Sequence, residues 1–534
     1  MTPTRTPPSV GTPRISATAN AAAFAPESPA VGRVARVECD HSWAFRPEGR
    51  FAGSADRLHV LGTPQKSDAI PRARTQRVQG AADGTLVPDP PGVSPVDFRD
   101  VPAGRAPGSR MPSILQTLRM WRDPVGFQTA AQARFGEPFG QRFHPVGELV
   151  VVSDPGMVRA IFMGDPETFR AGEANGKILP ILGCGSLLLA DGEHHRRRRH
   201  VLTPAFHGTR VTDLGDQIVW QTREAMARWP ADRAFRLLPS LRTITLNVIL
   251  RAVIDTATPG AQAELARRVG LMLAPAAGAA LLLGRGHRAW WSLGGIFGRR
   301  EAAVHALVRE ELARRRRDQS QPTRPDALGS LMAASDDEGR PLDDGDICDE
   351  VVTLLIAGHE TTSVALAWAF ERVLRHATVL DRVREGVAAG RDDGYLDAVV
   401  KETLRSRPPL INAVRTLGHP LTIGGCDLTA GSTVMVSIPL VHHRPELYPD
   451  PHRFLPDRFL AGRPGPYDWI PFGGGARRCI GAELASFEVS TVLSTVLAGG
   501  DLRAERVEPE QTRLLGTALI PARGGSVTLR RRLR

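Results

Sequence analysis

The chain has 534 residues, of which 42% are hydrophobic, so it is long enough for one large domain or for several smaller ones. Its formal net charge of +11 would suit a nucleic-acid-binding protein. Only three of its 68 basic residues are lysines, however, and the arginines are spread over the whole length. We therefore interpret the charge as a compositional bias and expect no nucleic-acid binding.

The five cysteines are odd in number and far apart: Cys39, Cys184, Cys348, Cys426 and Cys479. They form no CxxC pair and no cluster with histidine at zinc spacing, so the sequence encodes neither a disulfide framework nor a structural zinc site. A reducing, cytoplasmic compartment fits this usage best. No stretch reaches the roughly 18 uninterrupted apolar residues of a membrane span, so we expect no transmembrane segment and no signal peptide.

Residues 1–90 are rich in Pro, Ala, Thr, Gly and Arg and show no sustained helical or strand period. We predict that they form a disordered extension, because such a segment buries too little surface to offset its ordering entropy. An alternative is that the working protein begins nearer Pro88 or Met111. We assign residues 91–534 to a single large domain.

Within this domain, short β-rich runs broken by Pro and Gly over 139–155 predict a small sheet. Amphipathic helices are predicted over 216–229 and 300–317, and a helix of unusual length over 346–376. The middle of the long helix is apolar nearly all round, which predicts a course through the interior. With further β-rich pieces in 419–438, the pattern is that of a mainly α protein with small β-sheets (α+β).

Polar residues interrupt the apolar centre of that long helix. His359, Glu360, Thr361 and Thr362 follow the run TLLIAG, and a buried carboxylate is costly unless it has a partner. One interpretation is a helix weakened at Gly358, whose threonine hydroxyls bond to backbone carbonyls. The other is a polar notch in which an acid and an alcohol deliver protons to a bound oxygen species. The segment alone favours the first interpretation.

The segment PFGGGARRCIGAELA, residues 471–485, places three consecutive glycines before the lone Cys479. A phosphate loop, a zinc site, a reactive thiol and a haem ligand all compete as interpretations. No Gly-Lys-Ser/Thr follows the glycines, which argues against a phosphate loop, and the sequence identifies no base partner for a catalytic thiol. An inert buried thiol is the usual role of a lone cysteine, so the loop by itself does not decide.

Two weaker signals lie upstream of this loop. Glu402 and Arg405 stand three positions apart on one helix face in KETLRSRPP, which is ordinarily a surface ion pair. The run FLPDRF (454–459) adds Arg458 in a proline-punctuated loop.

In combination, these segments resemble the cytochrome P450 family over roughly 95–530, and they occur in that family's order. The loop 472–481 is similar to its haem-ligand loop, the segment 357–362 to its oxygen-activating helix, and 191–206 to its C-helix. The loop matches at Phe472, Gly473, Gly475, Arg477, Cys479 and Gly481. Glu402, Arg405 and Arg458 resemble the family's buried triad.

The resemblance implies a cytochrome P450 fold that binds haem b, with the thiolate of Cys479 on the iron and Phe472 shielding the sulfur. It implies that cationic side chains hold the haem propionates: His195, Arg199, Arg415 and Arg477. Glu360 and Thr361 would relay protons in catalysis. The neighbouring Arg196, Arg197 and Arg198 are expected to stay solvated and, with Arg478, to form a basic face for an acidic electron carrier or merely a solvated charge run.

The activity implied is that of a haem-thiolate monooxygenase, which inserts one oxygen atom of O2 into a C–H bond of a hydrophobic small molecule such as a fatty acid or terpenoid. The sequence has no GxGxxG in a strand–turn–helix context, so we expect that no reductase domain is attached. Electrons from NAD(P)H would therefore come through a separate reductase and a ferredoxin or flavodoxin. By family analogy, the apolar segment 271–298 lines an access channel, although ordinary helix packing explains it equally well. The alternatives are a haem-thiolate peroxygenase or isomerase and a non-catalytic haem-binding protein.

Overall fold

The computed structural model describes residues 106–530, except for 145, 180–181, 257, 274–287, 319–323, 325, 336–338, 392 and 463. All described residues belong to one structural unit. The predicted disordered extension, residues 1–90, lies outside the described residues. So does most of the apolar segment 271–298, of which the side chains are described only for its first three residues and its last.

Helices make up most of the described chain. Their bounds are α1 Ser113–Arg122, α2 Pro124–Phe135, α3 Pro155–Met163, α4 Ala171–Ile178, α5 Gly192–Leu202, α6 Thr209–Thr212, α7 Gly215–Ala227, α8 Leu238–Val253, α9 Pro259–Met272, α10 Arg288–Arg317, α11 Ala327–Met332, α12 Asp344–Val373, α13 Ala377–Ala388, α14 Tyr395–Ser406, α15 Ile438–His442 and α16 Ala482–Gly499. Short 3-10 helices span Thr203–Phe206, Pro456–Phe459 and Gly475–Arg477. The helices predicted over 216–229, 300–317 and 346–376 are confirmed as α7, the second half of α10, and α12.

The strands are short and form small sheets. Their bounds are β1 Phe139–Phe143, β2 Gly147–Val152, β3 Phe169–Arg170, β4 Ala234–Arg236, β5 Asn412–Leu417, β6 Leu421–Ile423, β7 Cys426–Leu428, β8 Thr433–Ser437, β9 Asp501–Ala504, β10 Thr512–Leu515, β11 Ala518–Pro521 and β12 Ser526–Arg530. The largest described sheet has the order β1-β2-β8-β5-β3, and the others are β4-β12-β9, β10-β11 and β6-β7. The sheet predicted over 139–155 is the β1–β2 hairpin of this largest sheet.

Hydrophobic runs explain the centre of the five-stranded sheet. The residues Leu149–Val152 of β2 are buried and pair in parallel with β8, where Leu149 lies opposite Thr433. Consecutive apolar residues are typical of a strand that is covered on both faces. Next to β8, the antiparallel β5 places Arg415 opposite Val434, so a cation is carried into the interior by a strand of the central sheet.

The long helix α12 crosses the core, as its apolar centre predicts. The side chain of Asp343 caps it by accepting the N–H of Gly345 at 2.7 Å, and the indole N–H of the fully buried Trp368 donates to the carbonyl of Leu519 at 2.6 Å. Of the described helices, this one alone is long and apolar enough to span a membrane. Its most apolar stretch is 72% buried inside the fold, which is the position of a core helix.

His442, at the end of α15, is buried and held in one neutral tautomer. The amide of Ile470 donates to its Nε2 at 2.9 Å, so the ring proton lies on Nδ1, which donates to the carbonyl of Arg405 at 3.1 Å. Burial, reinforced by the charge of Arg405, lowers the pKa of His442 well below its ordinary value of 6.5. Protonation of this ring would therefore break a hydrogen bond inside the core.

Because the folded-state pKa of His442 is depressed, unfolding takes up a proton once the pH is below 6.5. The stability that the neutral ring contributes is present above pH 6.5 and is lost as the pH falls further. We expect the free energy of unfolding to drop by about 1.4 kcal/mol per pH unit below 6.5 because of this residue. Denaturant titrations at several pH values give the free energy of unfolding as a function of pH. Below pH 6.5, the slope of this function should be shallower by that amount in His442→Gln, whereas replacement of the exposed His419 by Gln should leave the slope unchanged. Equal slopes in the two variants would contradict this account.

Candidate active site

The loop before α16 shows why three glycines precede the cysteine. Gly475 has φ +61°, and a Cβ there would lie 1.9 Å from the carbonyl oxygen of Phe162 in α3. A Cβ on Gly474 would lie 2.5 Å from the ring of the same phenylalanine. Only glycine allows this close approach and this left-handed conformation. The glycines therefore press the loop against α3, and the chain turns back so that the amide of Cys479 donates to the carbonyl of Phe472 at 2.9 Å.

Cys479 lies deep in the fold, yet its side chain is exposed. Burial raises the pKa of its thiol, while a hydrogen bond from the backbone N–H of Gly481 and the charges of Arg199 and Arg478 oppose that rise. The sulfur thus faces a recess within the protein and has a donor and two cations nearby. Because the net shift of the pKa is upward, the thiol keeps its proton in the absence of a metal, while the N–H of Gly481 and the two arginines favour the thiolate that forms when a metal binds and displaces that proton.

Three arginines and one neutral histidine, which we call the cation cluster, gather near this loop from three elements: His195 and Arg199 on α5, Arg415 on β5 and Arg477 in the cysteine loop. Burial, together with the charges of Arg477, Arg199 and Arg415, lowers the pKa of His195 to about 3. Burial lowers the pKa of both Arg415 and Arg477 to about 10, and each of these shifts includes repulsion from another arginine of the group. These side chains are close enough for their charges to act on one another.

The cluster of cations has few carboxylates to balance it. Arg477 pairs with Asp191 at 2.5 Å and also donates to the carbonyl of Ala190 at 2.6 Å. The buried Arg415 donates to the carbonyl of Val414 and stacks over Phe162, and no described carboxylate lies within 4 Å of it. Mutually repelling buried cations are costly, so the site fits a ligand that brings more than one negative charge.

The centre of α12 opens on one face. Ala357 is exposed and Thr361 is partly exposed, although Leu355 and Ala365 on either side are buried. Residues four apart lie on the same helix face, so Ala357 and Thr361 border one recess. The hydroxyl of Thr361 donates to the carbonyl of Ala357 at 2.6 Å, which is the back-bonding of the first sequence interpretation, while the helix runs on unbroken.

Glu360 points in another direction and has a partner that the sequence did not indicate. Arg242 on α8 donates to both of its carboxylate oxygens, at 2.9 and 2.5 Å, and both side chains remain 29% exposed. Glu360 is therefore paired at the edge of the core and is not a buried group in an apolar notch. Arg242 is one of two arginines on a helix of mostly apolar residues, and no local pattern links it to a residue 118 positions away.

The structure brings Glu402, Arg405 and Arg458 together. Arg405 and Glu402 are completely buried and form a two-pronged ion pair at 2.6 and 2.8 Å, and Arg458 approaches the same carboxylate at 3.3 Å. Arg405 also donates to the carbonyls of His442, Pro451 and Arg453. Spacing of three residues ordinarily gives a surface ion pair, but the pair of Glu402 and Arg405 is in the interior. There it stabilises the segment that precedes the cysteine loop, through the backbone carbonyls that Arg405 contacts.

The expectation that Arg198 is solvated is wrong. Its side chain is buried, donates to the carbonyl of Gly185 and pairs with Asp346 of α12 at 2.5 Å, while Glu350 lies 3.7 Å away. Glu350 in turn accepts the amide of Leu187 at 2.7 Å. One residue of the arginine run therefore ties α5 and the loop before it to α12, because its position on α5 faces inward.

The neighbours of Arg198 in the arginine run are solvated, as expected. Arg196 and Arg197 are exposed and form ion pairs with Glu193 on the same helix, and Arg478 is exposed beside the cysteine loop. Arg197 is thus exposed and the adjacent Arg198 is buried, so substitutions at these two positions form a matched pair of variants.

We expect Arg198→Gln to lower the free energy of unfolding by roughly 3 kcal/mol, since it leaves the buried Glu350 without its cation. Arg197→Gln should change it by less than about 0.5 kcal/mol, because exposed ion pairs contribute little. Thermal unfolding of the two variants measures the difference. Equal midpoints would show that the buried contact contributes no stability.

Comparisons with known proteins point to one family. The family model "Cytochrome P450" matches residues 102–527. The chain is 38% identical to cytochrome P450 135B1 of Mycobacterium tuberculosis over 436 residues, which cover 80% of this chain and 92% of that protein. It is 35% identical to cytochrome P450 137 of the same species over 399 residues, covering 74% of this chain and 84% of the relative.

Solved structures show the same fold. A cyanobacterial protein, CYP120A1 with retinoic acid bound, is 26% identical with a TM-score of 0.67, covering 80% of this chain and 99% of that one. The haem domain of cytochrome P450DA is 22% identical with a TM-score of 0.68, covering 81% of this chain and 99% of that one.

The chain therefore belongs to the cytochrome P450 family. It is a haem-thiolate monooxygenase that carries haem b and receives electrons from NAD(P)H through redox partners. The described residues fit this cofactor, because an exposed sulfur in the interior suits the iron and the cation cluster suits a ligand with two carboxylates. The predictions of a mainly α fold with small sheets and of this family are confirmed.

Proposed function

We propose that this protein hydroxylates a hydrophobic small molecule, either a terpenoid or a fatty acid. The observation that carries the proposal is the face of α12 where Ala357 and Thr361 border a recess at the centre of an otherwise buried helix. A methyl group and a hydroxyl on one face suit an apolar substrate beside a proton donor. Retinoic acid, which is bound in the structurally similar cyanobacterial protein, is a terpenoid carboxylic acid and favours that class.

In this proposal, the cysteine loop and the cation cluster hold the haem. Cys479 provides the thiolate ligand, with the N–H of Gly481 directed at its sulfur. Phe472, half-buried and packed edge-on against Trp469 with ring centroids 5.9 Å apart, keeps water from the sulfur. The two carboxylates of the cofactor are bound by His195, Arg199, Arg415 and Arg477. When bound, the haem supplies the activation of dioxygen and its insertion into a C–H bond.

Glu360 and Thr361 then have separate tasks. The ion pair with Arg242 holds the Glu360 carboxylate at a partly exposed position, where it can exchange protons with solvent. The hydroxyl of Thr361 donates to the carbonyl of Ala357 and can donate to a bound ligand only after rotating away from that carbonyl. Glu360 therefore takes protons from solvent, and Thr361 delivers them to the reacting oxygen.

Electron delivery is proposed to use a ferredoxin or flavodoxin. The exposed Arg196, Arg197 and Arg478 lie on α5 and on the cysteine loop, the two elements that also carry Arg199 and Cys479. Such side chains favour an acidic partner and speed its approach at low ionic strength. A cytoplasmic location is part of the proposal, and it is supported by the odd number and wide spacing of the five cysteines, which encode no disulfide framework.

A ligand titration followed by turnover tests the substrate class. We expect all-trans-retinoic acid or palmitic acid to shift the haem absorbance of the purified protein at micromolar concentration, and a surrogate ferredoxin system with NADPH to yield a hydroxylated product. A polar amino acid of similar mass is the control. Absorbance shifts without any product under NADPH, but product with hydrogen peroxide, would favour the peroxygenase alternative instead.

Replacement of Thr361 tests the proton relay. We expect Thr361→Ala to lower the yield of hydroxylated product per NADPH by about tenfold, with the electrons recovered as hydrogen peroxide, because general acid catalysis of this kind contributes at least that factor. Thr361→Ser keeps the hydroxyl and should retain most of the yield. An unchanged yield in the alanine variant would contradict the relay.

A further inference from the structure

Helix α1 leaves most of its aliphatic side chains exposed to solvent. Its buried residues are Gln116, Thr117 and Met120, whereas Ile114, Leu115 and Leu118 are exposed by 57%, 49% and 52%. With about 100° per residue, the three apolar side chains fall within an arc of about 100° on the outer surface. A surface helix normally presents the opposite arrangement, with apolar residues toward the core.

Hydrogen bonds on the inner side hold this orientation. The side-chain amide of Gln116 donates to the carbonyl of Met111 at 2.8 Å, and its oxygen accepts the N–H of Arg142 at the β1 edge at 3.1 Å. The hydroxyl of Thr117 accepts the N–H of His144 at 2.9 Å. A rotation of the helix that buried its leucines would break these bonds and leave backbone N–H groups without partners.

The charges beside the apolar arc have one sign. Arg110, Arg119 and Arg122 are exposed, and no acidic residue occurs from 106 to 122. The first carboxylate of the described chain is that of Asp123, which accepts the N–H of Gly126 at 3.0 Å and so caps the next helix. At 100° per residue, Arg119 lies beside the apolar arc and Arg122 follows it one turn further along the helix. An apolar face with arginines around it is typical of helices that lie in the interface of an anionic membrane.

We propose that α1 docks this protein on the surface of an anionic lipid bilayer, with Ile114, Leu115 and Leu118 entering the headgroup region and the arginines binding phosphates. A second copy of the chain is a poorer occupant, because a two-fold contact would bring the same arginines against each other. A stable protein interface also needs about 800 Å² on each side, more than a ten-residue helix offers by itself. The inference is independent of the proposed substrate.

Sedimentation of the full-length haem-loaded protein with vesicles tests the inference. We expect binding to phosphatidylcholine vesicles that contain phosphatidylglycerol, and much weaker binding to phosphatidylcholine alone. The double variant Leu115→Ser/Leu118→Ser should lower the partition coefficient by about tenfold or more, since it removes two of the three inserting side chains. Val507→Ser and Leu460→Ser alter other apolar side chains, which are 89% and 42% exposed, and should not change it.

The double variant Arg119→Gln/Arg122→Gln should lose the preference for anionic vesicles and with it most of the dependence on salt. Unchanged thermal midpoints and haem spectra in both double variants ensure that lost binding does not reflect unfolding. Absence of binding by the wild-type chain, or equal binding by the leucine variant, overturns the proposal. So does a wild-type dimer in sedimentation velocity that the leucine variant converts to a monomer without any vesicle binding.

Discussion

Cys479→Ser is expected to abolish the red-shifted Soret band of the reduced carbon monoxide complex and to reduce hydroxylation to background. The sulfur faces an internal recess and receives the N–H of Gly481, with Arg199 nearby. A serine hydroxyl keeps its proton at neutral pH and donates far less electron density to iron than a thiolate does. The spectrum of the dithionite-reduced, carbonylated protein measures this directly.

The matched control is Cys184→Ser, which changes another exposed cysteine outside the loop. Its spectrum and turnover should equal those of the wild type. The assignment of the ligand fails if Cys479→Ser retains the red-shifted band, or if Cys184→Ser loses it while remaining folded.

The second large effect is expected at Arg405. Its guanidinium is completely buried and donates to both oxygens of Glu402 and to three backbone carbonyls. Arg405→Leu removes one partner of a buried ion pair, which costs about 3–5 kcal/mol of the free energy of unfolding because the remaining carboxylate has no cation of equal geometry. Arg405→Lys restores the charge but not the fork of donors, so it should recover only part of that loss.

A chain of hydrogen bonds links this arginine to the cysteine loop. Arg405 and His442 bond to each other, the amide of Ile470 donates to His442, and Gly473 donates to the carbonyl of Ile470. Loss of Arg405 should therefore also lower the haem content of the purified protein. Guanidinium titrations and the ratio of haem to protein absorbance measure the two effects.

Arg458→Gln is the matched control for the triad. Arg458 contacts the same carboxylate at 3.3 Å but keeps some exposure and has weaker contacts to the carbonyls of Pro449 and Asp450. We expect this variant to lower the free energy of unfolding by about 1 kcal/mol. An equal loss of unfolding free energy in Arg458→Gln and Arg405→Leu would contradict this account. It would mean that the stability depends on the total charge of the triad and not on the paired hydrogen bonds between Arg405 and Glu402.

Much of this architecture could be predicted from local sequence. The helix found at Asp344–Val373 follows from an apolar run longer than any surface helix needs, and the β1–β2 hairpin follows from alternating short β-rich runs. The glycines before Cys479 indicate a loop under tight steric restriction, and the structure supplies the reason in the backbone of Phe162. The resemblance to the family could also be recognised from the sequence, since the motifs that carry it are contiguous stretches.

Other features could not be predicted, because they depend on contacts between distant parts of the chain. Arg197 and Arg198 are identical side chains at adjacent positions, yet only Arg198 meets Asp346, which lies 148 residues further on. Glu360 looked like a buried acid until α8 brought Arg242 beside it. On α1, the hydrophobic pattern alone would predict that Leu115 and Leu118 face the core, whereas both are exposed.

Periodicity in the amino-acid sequence was thus enough to predict the long helix and the first hairpin, and the order of contiguous motifs was enough for the family resemblance, which in turn implied the role of the cysteine loop. Helix packing, in contrast, sets which charges are buried, which carboxylate each arginine meets and which face of a helix stays exposed. Burial and ion pairing depend on the distance between side chains from separate elements, and that distance is set when the helices pack.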